Sequence, residues 1–405
     1  MKIGIDVRWL HEAFINATTK SWDSCELNIP PEEPDTIAGL GGVGRYLFEL
    51  LPRLSRHITD ARVILFFLEG SEPPDELTNL WPDSEHTALP SLWRPRGASW
   101  GPLWRTFQTY HDIRTTQILS GLELDVFFSP HQLMIPRDRW ATRRVITCHD
   151  LAYLQFPELF FGGGQIPTAY QDLYERLGRS DCILSVSKTT AQALENLLSI
   201  PEERIVITPE GVSERILSPG EPYQPGWEYL LHVGGPGPTK NMRTILDGWR
   251  LISETNQELH LILAGTSRDA VSSLIESRGL KDMTRLHCVS PVSDVQLGSL
   301  YRGAVMLIMP SIVEGFGLPV LEAMACGCPV IASRSSPMEE VAEDSGIFID
   351  HRSPEQLAYA VTTLLSDSLK RKTMSALGRT IAEQYSWDRT ASITADAILS
   401  SVSTV

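Results

Sequence analysis

No apolar run in this 405-residue chain approaches the roughly 18 residues that a membrane-crossing helix needs; Val63-Ile64-Leu65-Phe66-Phe67-Leu68 is the length of a strand. Basic charge is scarce as well. The formal net charge is −15 and both halves of the chain are acidic, which argues against nucleic acid as a partner. The six cysteines (25, 148, 182, 288, 326 and 328) contain no Cys-x-x-Cys pair and fall mostly in predicted strands or helices, so they read as reduced core thiols of a cytosolic protein. Met1 to Asp6 enters a predicted strand at once, without the apolar core and cleavage site of a signal peptide. No fixed-period repeat is visible, and no Asp-x-Asp stands on a predicted strand edge where it would clamp a divalent ion.

Strands and helices alternate along the chain, a pattern that favours parallel sheets. In the first half, strands are predicted at Lys2 to Val7, Arg62 to Phe67, Val126 to Phe128, Val145 to Thr147, Cys182 to Val186 and Ile205 to Ile207. Helices are predicted to begin near Gly44, Thr106, Pro167 and Ser187. A stretch with Pro219, Gly220, Pro222, Pro225 and Gly226 has a linker's composition. A second series follows at Tyr229 to Val233, Leu259 to Leu263, Leu286 to Val289, Val305 to Met309, Val330 to Ile331 and Gly346 to Ile349. The expected architecture is α/β, two doubly wound Rossmann-like domains facing each other across a cleft. Their expected limits are 1–215, a linker at 216–228, 229–385, and a C-terminal helix at 386–405 that crosses back to the first domain. The polar, acidic segment from His11 to Ala38 reads as a mobile loop over that cleft.

The densest signal runs from Pro310 to Ser333. Ala304 to Met309 has the continuity of a strand buried on both faces, and Pro310 prevents it from running further. Pro319 suits a first helical turn and Gly327 a helix exit. The amides of Gly315 to Leu318 would then face an anion, with glycines allowing close approach. Glu314 and Glu322 flank the same crevice, and carboxylates there accept hydrogen bonds from the vicinal hydroxyls of a ribose and of a sugar. A diphosphate with a hydroxylated ring on each side describes a nucleotide sugar.

With seven residues between Glu314 and Glu322, this segment resembles the retaining glycosyltransferases of family 4, which have the GT-B fold. The resemblance implies that Glu322 holds the ribose, that Glu314 contacts the transferred sugar, and that amides around Phe316, Gly317 and Leu318 meet the diphosphate. Four other segments match positions where that family places functional groups. Gly41 and Gly42 sit in a glycine-rich turn that opens a helix. His149, at the end of the strand from Val145, matches a histidine that contacts the donor sugar across the cleft. Gly235 and Lys240 lie in a glycine-rich loop, Lys240 supplying positive charge to the departing diphosphate. The family's other basic residues of that loop are replaced here by Gly235 and Thr239, and Arg243 reads as a solvated helix residue. Thr208-Pro209-Glu210-Gly211-Val212 resembles the family's hinge-side segment, with Glu210 read as a turn residue.

The resemblance implies a retaining hexosyltransferase that needs neither metal nor cofactor. Its expected donor is GDP-mannose, with UDP-glucose second, and its expected acceptor a glycan or lipid-linked hydroxyl. Between Ser91 and Val145, eight arginines against four acids are interleaved with four tryptophans. That stretch reads either as a solvated helix with aromatic core residues or as a contact with the inner face of a membrane. Two rival functions are a catalytically silent partner subunit, suggested by Gly235 and Thr239, and a nucleotide-sugar epimerase. The epimerase needs a paired acid and base, for which only His149 presents itself.

Overall fold

The computed structural model describes residues 1–8, 27, 29, 41–70, 78–90, 113–136, 143–280, 284–334 and 336–402. The loop expected at 11–38 lies outside the described residues apart from Leu27 and Ile29, as do the four tryptophans of the 91–145 stretch. No helix among the described residues is long and apolar enough to cross a membrane. Five of the six cysteines are described, and all five are free thiols.

Two parallel sheets organise the chain. The first contains β1 (Lys2–Asp6), β2 (Arg62–Leu68), β3 (Glu85–Leu89), β4 (Val126–Ser129), β5 (Arg143–Cys148), β6 (Cys182–Ser185) and β7 (Ile205–Ile207), in the order β3-β2-β1-β4-β5-β6-β7. The second contains β8 (Tyr229–Val233), β9 (His260–Ala264), β10 (Leu286–Val289), β11 (Met306–Met309), β12 (Val330–Ser333) and β13 (Gly346–Ile349), in the order β10-β9-β8-β11-β12-β13. Both have the doubly wound order, in which the direction of winding reverses beside the first strand, between β1 and β4 and between β8 and β11. The central strands β4, β8, β11 and β12 are buried along their whole length, as continuous apolar strands covered on both faces must be. β3 was not legible in the sequence. It is an edge strand, Glu-His-Thr-Ala-Leu, with only its last residue buried, so it has no apolar run to announce it.

Helices cross between the strands: α1 (Gly42–His57), α2 (Thr168–Gly178), α3 (Lys188–Leu198), α4 (Met242–Thr255), α5 (Arg268–Ser277), α6 (Asp294–Gly303), α7 (Leu318–Ala325), α8 (Pro337–Ala342), α9 (Pro354–Ser366), α10 (Ser368–Ala382) and α11 (Trp387–Ser400). Side-chain caps fix several of their starts. Ser187 accepts from Thr190 N at 3.0 Å, and Ser293 with Gln296 forms a reciprocal capping box at α6. The segment joining the two sheets is packed rather than free. Cβ atoms added at Gly298 and Gly303 of α6 would come within 2.2 Å of the carbonyls of Ile216 and Tyr223, so α6 must present bare backbone for the connection to lie against it.

The last helix returns to the first half of the chain. Ser386 caps α11, Trp387 stacks edge-on to Tyr46 with ring centroids 5.8 Å apart, and Thr390 donates to the Pro209 carbonyl. Trp387 is 2 % exposed, at the centre of this contact. Truncating it to alanine removes a large apolar body from the seam between the halves, at an expected cost of about 3–5 kcal/mol. Urea denaturation of the Trp387→Ala variant checks this, and an unchanged midpoint would contradict the placement of α11.

Candidate active site

One cavity of about 490 Å³ opens between the two sheets, and every loop that lines it follows the carboxyl end of a parallel strand or opens the helix beyond one. From the first half come Gly41, Gly42 and Arg45 at the start of α1, His149 and Asp150 after β5, Val186 after β6 and Glu210 after β7. The second half contributes Gly235 and Lys240 after β8, Gly265 after β9, Ser290 to Val292 after β10, and Glu314 to Pro319 with Glu322 after β11. All ten site residues expected from the sequence line this one cavity. Arg243 is exposed on α4 and is not among its lining residues.

Lys240 is held in place by its neighbour. Asn241 adopts a left-handed conformation at φ 56° and caps α4, while its amide donates to the carbonyls of Pro310 at 2.8 Å and His351 at 2.6 Å. That ties the β8 loop to the end of β11 and sets Lys240 Nζ 2.7 Å from Glu314 Oε1. Beyond Glu314 the chain turns through Gly317 at φ 104°, which caps α7 with no side chain in the way. Among the described residues the amides of Gly315 to Leu318 make no backbone hydrogen bond, and these residues line the cavity at the N-terminal, positive end of α7, beside Lys240.

Glu322, one turn into α7, is completely buried. Its Oε1 accepts from Arg45 and its Oε2 from the Tyr301 hydroxyl at 2.8 Å. Arg45 reaches across from the first half and also meets Asp294 at 2.5 Å. Burial pushes the Glu322 carboxyl above the usual carboxylate range, and Asp294 adds to the rise while Arg45 opposes it. Nothing in the local sequence assigns Arg45 a role. It is the second cation lining the cavity, and no local pattern announces it because its two acidic partners lie in the other half of the chain.

His149 faces this wall from the first half. Its Nε2 lies 2.9 Å from the Pro130 carbonyl and its backbone N–H donates to Gln132 Oε1 at 3.1 Å. The two halves touch here with almost no clearance: a Cβ added at Gly315 would lie 1.9 Å from the His149 carbonyl oxygen. Thr190 and Ser187 at the start of α3 donate to the Gly315 carbonyl at 3.1 and 2.7 Å, and Glu340 of α8 caps the same helix by accepting from Lys188 N and Thr189 N. Asp150 accepts from Ala152 N at 2.9 Å, and burial raises its carboxyl pKa. Glu210 is not a solvated turn residue: it is 4 % exposed, it lines the cavity, and its Oε1 lies 3.6 Å from His149 Nδ1.

A family model described as Glycosyltransferase Family 4 matches residues 40–215, and one described as Glycosyl transferases group 1 matches residues 220–380. The O-antigen chain mannosyltransferase B of Escherichia coli is 29 % identical over 378 residues, spanning 88 % of this chain and 96 % of that protein. Among solved structures, sucrose-phosphate synthase from Thermosynechococcus elongatus superposes with a TM-score of 0.71 at 18 % identity, covering 96 % of both chains. Anabaena HepE, solved with UDP-glucose, superposes with a TM-score of 0.65 at 16 % identity over 100 % of both chains.

Two substitutions test this geometry without reference to any reaction. Arg45→Ala leaves two buried carboxylates without their counter-ion and is expected to destabilise the protein by about 3 kcal/mol, read by denaturant titration. Gly315→Ala is expected to hold the two halves apart, which small-angle scattering registers as a larger radius of gyration at unchanged circular dichroism. An unchanged radius would contradict the close approach at His149.

Proposed function

The chain belongs to the family 4, group 1 glycosyltransferases of GT-B fold, and from that premise we propose that it transfers mannose from GDP-mannose to a glycan or lipid-linked hydroxyl with retention of anomeric configuration. The observation that carries this reading is the convergence of Lys240, Glu314, the unbonded amides of Gly315 to Leu318 and Glu322 on one cavity, with His149 opposite. Lys240 and the amides hold the diphosphate. Glu322, whose two oxygens each carry one donor already, has acceptor directions left for the ribose hydroxyls. Glu314 exchanges Lys240 for a hydroxyl of the hexose once the diphosphate takes the ammonium. Mannose is favoured because the relative that spans 88 % of this chain is an O-antigen mannosyltransferase; UDP-glucose is the second choice of donor.

In the proposed step the bond from the anomeric carbon to the phosphate oxygen breaks, and the acceptor oxygen bonds to that carbon on the same face. The acceptor's proton passes to the departing phosphate oxygen. Negative charge grows on the diphosphate as the bond breaks, and Lys240, the loop amides and the α7 dipole are already aimed at it. This supplies the electrostatic stabilisation without a metal ion. Peripheral contact with anionic lipid through residues 91–145 belongs to the same proposal and would bring the chain to a lipid-linked acceptor.

Thermal-shift measurements with GDP-, UDP- and ADP-sugars identify the donor, since a ligand that binds the folded form raises its melting temperature. The GDP-mannose shift is expected to be largest. Lys240→Ala is expected to lower kcat about 10²- to 10³-fold, the usual loss when one pre-aimed donor of charge stabilisation is removed. Turnover in excess chelator should equal that in its absence, and NMR of the first-formed product should show the donor's anomeric configuration. An inverted product or a chelator-sensitive rate would overturn the corresponding part of the mechanism.

A further inference from the structure

The chain beyond β5 gathers aromatic side chains that the reaction described so far leaves unused. Asp150, which lines the cavity, accepts from Ala152 N and opens the helical turn Ala152–Gln155, on which Tyr153 stands. A second, tighter turn at Pro157–Leu159 follows, and Phe161 N donates to the Pro157 carbonyl at 2.8 Å. Gly163 and Gly164 then take left-handed conformations at φ 85° and 70°, with Gly164 N donating to the Phe161 carbonyl at 2.8 Å. This reversal brings the start of α2 back beside the turns. Tyr153 ends as the hub of a four-ring cluster: its centroid is 4.5 Å from that of Phe160, 4.9 Å from Tyr170 and 5.8 Å from Phe161, and Phe161 is 5.1 Å from Tyr170.

All four rings are partly exposed, and Tyr153 and Tyr170 rest on the outside of the apolar cluster that contains Leu151 and Tyr174. Contiguous aromatic surface of this kind marks a place where something binds. Among the described residues the Tyr153 and Tyr170 hydroxyls make no hydrogen bond, so both polar edges are open to a ligand. The surrounding charge has one sign: residues 150–175 carry Asp150, Glu158, Asp172 and Glu175 and no lysine or arginine. Such a surface repels anionic headgroups, phosphates and acidic sugars. It suits a neutral hydroxylated ring. The C–H face of a pyranose lies against an aromatic face, whose quadrupole is negative, while phenol hydroxyls and carboxylates meet the O–H groups at its rim.

The cluster is continuous with the cavity through Asp150. A Cβ added at Gly315 would lie 3.6 Å from Asp150 Cβ, so Asp150 stands where the two halves meet. Burial raises the Tyr153 hydroxyl pKa, and the neighbouring Tyr170 and Asp150 add to the rise, which puts the ring within electrostatic reach of the cavity wall. The groups proposed to hold the diphosphate and ribose, Lys240, the β11 loop and Glu322, all belong to the second half, whereas the aromatic cluster belongs wholly to the first. We infer that Tyr153, Phe160, Phe161 and Tyr170 form a stacking platform for a neutral sugar residue of the acceptor, and that Tyr153 is a residue by which the chain selects its acceptor. This rests on the reading of the cavity as a nucleotide-sugar site.

The test is saturation-transfer NMR on the full-length chain at saturating GDP, irradiating the protein's aromatic protons, with methyl α-mannopyranoside as the neutral probe and methyl α-glucuronoside as the charged one. The ring C–H protons of the mannoside are expected to receive saturation, and those of the glucuronoside about 5-fold less. Tyr153→Leu and Tyr170→Leu, which keep apolar bulk without an aromatic face, should each lower the mannoside signal about 5-fold, whereas Tyr153→Phe retains it. The rise in melting temperature with GDP reports whether each variant is folded around its donor site. Should one leucine variant fail to fold, the other and Tyr153→Phe still decide the matter. The inference is overturned if both leucine variants keep the full mannoside signal, or if the glucuronoside matches the mannoside. It is overturned equally if wild type, but not the leucine variants, sediments with vesicles of anionic phospholipid, which would make the patch a lipid surface. A thermal shift with GDP but no transfer to the mannoside in wild type overturns the platform alone. No thermal shift with GDP or any nucleotide sugar would instead remove the nucleotide-sugar reading, and the acceptor role with it.

Discussion

A single guanidinium, Arg45, holds the walls of the cavity together. It extends from the first helix of one half of the chain to two carboxylates of the other, Glu322 and Asp294, both buried. Buried without Arg45, those carboxylates would face a large desolvation penalty, and Glu322 already has a raised pKa because burial outweighs its favourable partners. The bridge therefore couples the geometry of the cleft to the charge state of its floor. Around it the halves meet at two further points, Gly315 on the His149 carbonyl and Glu340 on the start of α3, both too close to tolerate much rearrangement in the closed arrangement seen here.

The charges in the cavity are paired, but in ways a ligand can replace. Lys240 rests on Glu314, Glu322 keeps Arg45 and Tyr301 with acceptor directions to spare, and among the described residues the amides of Gly315 to Leu318 make no backbone hydrogen bond. A diphosphate offers Lys240 and the amides more negative charge than Glu314 does, and the released Glu314 then has an acceptor to offer a sugar. Binding on this view is an exchange of partners rather than the neutralisation of bare charges, which keeps the empty site stable without occupying it permanently.

Much of this was legible in the sequence, for identifiable reasons. Parallel strands buried on both faces must be continuously apolar, so β1, β2 and β8 to β12 announce themselves; β3, half exposed at an edge, does not. Glycines and caps mark the turns after strands because backbone geometry restricts which residues serve there, which made the loops at 41–42, 234–241 and 314–319 readable. Arg45 and Glu210 were not. Arg45 depends on partners far away along the chain, Glu322 lying 277 residues from it, and Glu210 on His149 in a different loop of its own half. Short-range pattern carries backbone and loop chemistry well, and side-chain pairing across an interface hardly at all.

The central claim is that one interdomain cavity receives the nucleotide sugar with its diphosphate on Lys240 and the β11 loop. A crystal structure of the protein with GDP-mannose or a non-hydrolysable analogue tests it most directly. The account predicts phosphate oxygens within hydrogen-bond distance of Lys240 Nζ and the amides of Phe316 to Leu318, and the hexose between Glu314 and His149. A nucleotide bound at any other surface, or a cavity left empty at saturating ligand, would contradict it.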